Sequence, residues 1–287
     1  MSNSAHSEVR RPTGTQASTA RQRSATVRSK DGTPIAFERV GRGPALILVD
    51  GALCYRALGP SAGLAKLLGR DFTVFTYDRR GRGESGDTAQ YAVEREIEDL
   101  QALLNEAGGE AFVWGVSGGA ALALEAANRV AGIRKLALYE APFIVDGSRP
   151  PIPQNDWAGI SNAVAAGRRG EAVKRFLTLV GAPRFFIALM PLLPVWSKLM
   201  GVAHTLPYDG AIVMEHQGGK SLPAGRWASV SMPTLVMNGG KSPTWMRTAA
   251  QAIANVLPNA KHRVLERQTH MVKPKVHAPV LTEFFKG

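Results

Sequence analysis

Short, largely apolar runs recur along the chain at Ala45–Val49, Phe72–Tyr77, Phe112–Val116, Ile133–Tyr139 and Thr234–Met237. A strand with one wet face alternates apolar and polar residues, so a continuous run such as Ala45–Val49 needs cover on both faces. Between these runs lie stretches of helical character at 60–68, 91–107 and 118–130. In the second of them Val93, Ile97, Leu100, Leu103 and Leu104 share one face and the acids take the other. Strand and helix in strict alternation predict a parallel sheet with helices on both faces. Ahead of it, Ala25–Arg28 and Ile35–Val40 flank Asp31-Gly32, a hairpin signal. After Thr234–Met237 come a helix over 244–256, a short strand Arg263–Leu265 and a closing helix over 275–286.

The alternation stops at Pro142. Residues 143–228 hold helical patterns (157–166, 170–180, 184–200, 208–216) and no convincing strand. The expected organisation is therefore a tail over 1–24, an α/β core from 25–142 and 229–287, and an all-helical insertion over 143–228. The tail is rich in Ser, Thr and Arg and poor in large apolar residues, so it is expected to be disordered; a transit peptide has a similar composition.

Charge and cysteine count narrow the function. The 287 residues carry a formal charge of +12. Much of it is local: residues 1–30 hold Arg10, Arg11, Arg21, Arg23, Arg28 and Lys30 against Glu8 alone. No basic run with interleaved aromatics follows, so no nucleic-acid partner is expected. One cysteine, Cys54, excludes an internal disulfide framework and a multi-thiolate zinc site. The longest apolar run, Phe185–Trp196, contains Pro191 and Pro194 and falls short of the roughly 20 residues a membrane span needs. With no apolar leader either, a cytoplasmic protein acting on a small molecule is expected.

The chemistry centres on Gly115-Val116-Ser117-Gly118-Gly119, which follows a predicted strand and opens a predicted helix. Flanking glycines permit a sharp turn that lifts the serine oxygen above the sheet, and the N–H groups beyond it start a helix and face a developing oxyanion. Serine needs a base. Of the six histidines, His6 lies in the tail, His204 and His216 in the insertion, His262 before the last strand and His277 on the closing helix. His270 follows the last strand, at the sheet edge that carries the ligand crevice in doubly wound folds.

With these residues in place, the chain over 25–287 resembles the α/β-hydrolase family. The resemblance rests on Val49-Asp50-Gly51-Ala52 where the family has its oxyanion loop, on Tyr77-Asp78-Arg79-Arg80-Gly81-Arg82-Gly83-Glu84-Ser85 as a family turn, on the Ser117 elbow, and on His270. It implies the α/β-hydrolase fold: a mostly parallel sheet flanked by helices, with the helical insertion as a cap between strands six and seven. It also implies Ser117 as nucleophile, His270 as base, Ala52 and Gly118 as oxyanion donors, and no cofactor or metal. A serine at the elbow argues against the dehalogenases and epoxide hydrolases of this fold, which use aspartate there.

Two positions depart from the family pattern. Asp50 replaces the usual histidine of the oxyanion loop. Ser242, in Met237-Asn-Gly-Gly-Lys-Ser242, stands where the triad acid is commonly found. Glu140, ending the sixth strand, is the leading replacement, as in those dehalogenases that carry their acid after that strand. Asp50 competes with it, and so does a Ser–His dyad with no acid. Phe186, Met190, Trp196 and Trp245 are expected to line an apolar substrate pocket. The function expected is a carboxylic-ester hydrolase for a small apolar ester, thioester or lactone. The alternatives are a ligand-binding relative with little turnover, or lyase, acyltransferase or cofactor-free oxygenase chemistry.

Overall fold

A computed structural model describes residues 24–287, so the tail expected over 1–24 lies, but for Ser24, outside the described residues. The strands are β1 (Ala25–Arg28), β2 (Pro34–Val40), β3 (Ala45–Val49), β4 (Thr73–Tyr77), β5 (Ala111–Val116), β6 (Ile133–Tyr139), β7 (Thr234–Gly239) and β8 (Ala260–Leu265). They form one sheet in the order β1-β2-β4-β3-β5-β6-β7-β8. β1 and β2 are antiparallel to their neighbours, as the Asp31-Gly32 hairpin predicts, and every pairing from β4 to β8 is parallel. The fold class is the one the alternation implied.

Parallel strands need crossover helices, and these cover both faces. The core helices are α1 (Ser61–Leu68), α2 (Val93–Glu106), α3 (Gly118–Ala127), α9 (Thr244–Val256) and α10 (Pro274–Lys286). Ile97, Leu100, Leu122 and Ile253 from α2, α3 and α9 pack on one face. Leu64, Leu68, Leu281 and Phe285 from α1 and α10 pack on the other. Every residue of α3 is buried, which explains why it is built almost wholly of Gly, Ala and Leu.

Between β6 and β7 the chain forms α4 (Gln154–Ala165), α5 (Arg169–Leu179), α6 (Arg184–Leu189), α7 (Val195–Val202) and α8 (Leu206–Val213), with 3-10 turns between and after them and no strand. The single helix expected over 184–200 is two helices. Pro191 and Pro194 cannot supply amide protons, and their rings clash with the preceding turn, so the chain passes through the 3-10 turn Met190–Leu192 instead. The last strand is longer than the apolar pattern foretold. It runs in register with β7 from Thr234↔Ala260 to Gly239↔Leu265, and most of its side chains are wet. An edge strand with polar side chains has no hydrophobic signature to read. His262 thus lies within β8 rather than ahead of it, its Nε2 2.6 Å from Asn238 Oδ1.

Candidate active site

Three loops meet at the carboxyl edge of the parallel strands. Ser117, one residue past β5, has φ 56° and ψ −129°, a conformation that costs a side-chain-bearing residue about 1–3 kcal/mol. Glycine is needed around it for space. A Cβ at Gly119 would strike the carbonyl oxygens of Val49 and Asp50, and one at Gly115 would strike that of Gly119. The turn is tied to the next strand by Ser117 N–H donating to the Tyr139 carbonyl at 2.9 Å.

Glu140 follows β6 directly and also has positive φ, at 50°. Its carboxylate is fully buried. Oε1 accepts the Gly239 N–H at 2.7 Å, and Oε2 lies 2.7 Å from His270 Nδ1. A carboxylate only accepts, so Nδ1 carries the proton and Nε2 is left with a free lone pair. The β8 loop bearing His270 is fixed by Tyr139 Oη donating to the Thr269 carbonyl at 2.6 Å and Lys241 N–H donating to the Gln268 carbonyl at 2.8 Å. Glu140 and His270 are therefore joined directly. Among the described residues no hydrogen bond joins His270 to Ser117; such bonds are often long without substrate and tighten with it.

The rival acids lie elsewhere. Ser242, though buried, has a hydroxyl with no partner among the described residues. Asp50 makes no hydrogen bond to His270 among the described residues: its Oδ1 accepts the Ser61 hydroxyl at 2.7 Å, and a Cβ at Gly59 would strike its Oδ2. Burial pushes the Asp50 pKa up to about 6, against the pull of Ser61, Arg82 and Arg79.

Ala52 and Gly118 face one another. The Cβ position of Gly118 is 3.9 Å from the Ala52 nitrogen, and among the described residues neither N–H donates a hydrogen bond. Gly51 passes so close that a Cβ there would sit 3.0 Å from that of Ser117.

The Asp50–Ala52 loop is held by side chains to which sequence reasoning gave no role of their own. Arg79 and Arg82, both almost fully buried, come from the turn after β4. Arg82 Nη1 donates to the Gly51 carbonyl at 2.7 Å, and Arg79 Nη1 to the Asp50 carbonyl at 3.3 Å. Both arginines also reach Asp209 of α8, Arg79 at its Oδ1 and Arg82 at its Oδ2, each at 2.8 Å. Asp209 Oδ1 lies 3.4 Å from the Cβ position of Gly118, so the insertion reaches the elbow itself. Arg79 forks onto Glu96 at 2.7 and 2.8 Å. Burial opposes the Arg79 charge, but Glu96 and Asp209 outweigh it and hold its pKa well above the ordinary value. A signal existed: Asp209 is an acid inside the apolar stretch Leu206–Val213, and buried acids need cationic partners.

The four expected pocket residues are scattered over the insertion and α9. Met190 is buried. Phe186 is 41% exposed. Trp196 is half-buried, with Lys174 Nζ 5.9 Å from its ring centroid, and Trp245 stacks under the Arg149 guanidinium at 4.6 Å. His204 approaches Asp87, His216 packs on Trp227, His262 bonds Asn238 and His277 packs on Tyr139; none of the four is hydrogen-bonded to the Glu140 carboxylate, which His270 contacts.

A mostly parallel eight-stranded sheet with a serine turn after β5 and a histidine loop after β8 is the arrangement of the α/β-hydrolases. The alpha/beta hydrolase family description matches residues 44–273, most of the chain, and the chain belongs to that family. It is 53% identical to an alpha/beta hydrolase from Sphaerobacter thermophilus, covering 91% of this chain and 100% of that one with a TM-score of 0.84. It shares the fold of an enol-lactonase from Burkholderia xenovorans at 17% identity (92% and 100% covered, TM-score 0.67). It also shares that of a thermophilic esterase from Thermogutta terrifontis at 21% identity (92% and 98% covered, TM-score 0.61). No curated protein matches the sequence.

Proposed function

We propose that the protein is a serine hydrolase of small, largely apolar carboxylic esters, thioesters or lactones, working through a Ser117–His270–Glu140 triad. The observation that carries this reading is the 2.7 Å contact of His270 Nδ1 with the buried Glu140, on the same sheet edge as the strained Ser117 turn. Ser117 Oγ attacks the acyl carbonyl as His270 Nε2 takes its proton. The carbonyl oxygen becomes an oxyanion at the free N–H groups of Ala52 and Gly118. His270 passes the proton to the leaving alkoxide, and the acyl group stays on Ser117. Water, deprotonated by His270, then attacks the acyl carbon; the bond to Ser117 Oγ breaks, His270 returns the proton to Oγ, and the acid leaves. Glu140 fixes the tautomer and stabilises the imidazolium formed in each half.

The 143–228 insertion acts as the cap. Its support is Asp209, which brings α8 against Gly118. Phe186, Met190, Trp196 and Trp245 are proposed to set the size of the acyl or alkyl group, and no metal or organic cofactor takes part. An enol-lactonase and an esterase share this fold, which agrees with this substrate class.

The test is turnover of a short-chain p-nitrophenyl ester together with labelling by a fluorophosphonate probe. Ser117→Ala is expected to abolish both while the fold is retained. Labelling that persists in Ser117→Ala would remove Ser117 from the mechanism. A wild-type protein that binds small apolar esters without turning them over would instead be a binding relative on the same fold.

A further inference from the structure

The apolar run Phe185–Trp196, three of whose residues are expected to line the pocket, presents one side to solvent. Val180, Phe185, Phe186, Leu189, Leu192 and Leu193 are exposed at 42, 71, 41, 53, 78 and 41%. They make up most of the large apolar side chains that stand exposed among the described residues. Their arrangement is not scattered. Phe185, Leu189 and Leu192–Leu193 follow one another at i, i+4 and i+7/8 through α6 and the 3-10 turn, while Ile187 and Met190 point into the protein. Single exposed apolar residues are ordinary, but a contiguous apolar face marks a contact surface.

The charge around that face indicates what it contacts. From Ala172 to Tyr208 the chain contains Lys174, Arg175, Arg184 and Lys198 and no aspartate or glutamate. Arg184 and Lys198 are exposed, and neither makes an ion pair among the described residues. Arg175 pairs with Glu171 and Lys174 sits over the Trp196 ring, which leaves Arg184 and Lys198 as the unpaired cations flanking the apolar face along the chain. An apolar helical face with flanking cations is the pattern of a helix that lies in the headgroup region of an anionic bilayer. Two copies joined face to face would bring these like charges together, which disfavours self-association through it. No single described helix is long and apolar enough to cross a membrane.

We propose that the exposed face of α6 and the following turn docks the protein on anionic lipid bilayers, with Phe185, Leu189, Leu192 and Leu193 entering the acyl boundary and Arg184 and Lys198 meeting lipid phosphates. The proposal stands apart from the ester reading, because it uses no residue of the triad or the oxyanion loop.

The experiment is co-sedimentation of the full chain with vesicles of phosphatidylcholine alone or mixed equally with phosphatidylglycerol. Wild type is expected to bind the anionic vesicles at least tenfold more tightly, and to lose most of that preference in molar salt. Each basic side chain near the surface is worth roughly fivefold in affinity. The triple variant Phe185→Ser/Leu189→Ser/Leu192→Ser and the double variant Arg184→Glu/Lys198→Glu are each expected to lose at least tenfold, with unchanged melting temperature because all five side chains are exposed. Three results overturn the proposal. Failure of wild type to bind either vesicle removes the lipid partner. Undiminished binding by the triple variant places the membrane contact elsewhere on the chain. A wild-type dimer in light scattering that the triple variant dissolves makes a second copy the occupant.

Discussion

The carboxyl edge of the sheet and the helical insertion treat their side chains in opposite ways. At the edge, Ser117 and Glu140 are each the first residue past a strand, and the register of β5, β6 and β7 fixes where they stand. His270 is held by two loop hydrogen bonds and by Glu140. In the insertion the helices are short and proline-broken, and several of the large apolar side chains face solvent. The two regions meet at Asp209, where an insertion carboxylate completes a buried cluster with Arg79 and Arg82 beside the Asp50–Ala52 loop. The difference teaches that fixed side-chain geometry is built on the sheet edge, and that the insertion, on the proposed reading, adjusts what reaches it.

The sharpest way to break this division is Glu140→Gln, nearly isosteric and on the sheet side. Losing the triad acid costs about 10⁴-fold in kcat in studied serine hydrolases. Steady-state kinetics on a p-nitrophenyl ester should show a fall of that order, with folding intact. Ser242→Ala should cost less than about tenfold, since its hydroxyl has no partner. Near-full activity in Glu140→Gln would take the carboxylate out of the mechanism.

Asp209→Ala tests the junction. It leaves two buried arginines short of a partner, which typically costs about 3–5 kcal/mol. The control is Asp99→Ala, which strips the buried Arg80 of a partner in the same turn but touches no oxyanion-loop carbonyl. Both should lower the denaturation midpoint. Only Asp209→Ala should also lower kcat on a minimal acetate ester, by about 10²-fold, because it frees the loop that aims Ala52. Equal kinetics in the two variants would show that the cluster serves stability alone.

A third test asks which region gives way in acid. His277 of α10 is fully buried against Tyr139 and Trp114. Burial lowers its pKa from 6.5 to about 4. The folded protein keeps it neutral, whereas the unfolded chain takes up a proton below pH 6.5, so its share of stability is full above 6.5 and drains away as pH falls toward 4. The loss is up to about 3 kcal/mol. Asp50 works in the opposite sense: its raised pKa means stability lost as pH rises toward 6. The difference between wild type and His277→Phe isolates the histidine. In urea titrations the variant should gain on wild type as pH drops from 6.5 to 4. A gap that stays constant would mean His277 does not limit acid stability.

The smallest expected effect lies in the insertion. Trp196→Ala and Phe186→Ala should shift the preferred chain length of p-nitrophenyl esters by several-fold while changing acetate turnover little. Loss on every substrate alike, with the ~3–5 kcal/mol destabilisation of a truncated core aromatic, would make these side chains structural.

Much of the sheet region was legible because strand and helix periodicity, Gly115–Gly119 and the position of His270 are local patterns. A continuous apolar run states its own burial, and a serine between glycines at a strand-to-helix turn states its own backbone. Glu140 was pointed to by the family resemblance and by the chain order Ser117, Glu140, His270, beside Asp50 and a dyad; its 2.7 Å contact with His270 was not legible from the sequence. The polar edge strand β8 was read short because its pairing partner, rather than its own side chains, makes it a strand.

What the sequence determined by itself was the order of elements and the sheet edge on which Ser117, Glu140 and His270 stand, because both follow from spacing along the chain. What only the tertiary structure decided was partnership across distance. Asp209 and Arg79 are 130 residues apart, and nothing in either neighbourhood names the other; a buried charge is stabilised by whichever opposite charge the fold brings within about 3 Å. The same holds for α6. Its helical pattern is identical whether the apolar face turns toward the core or toward solvent, and that choice was made by Pro191, Pro194 and the packing of Ile187 and Met190 beneath it.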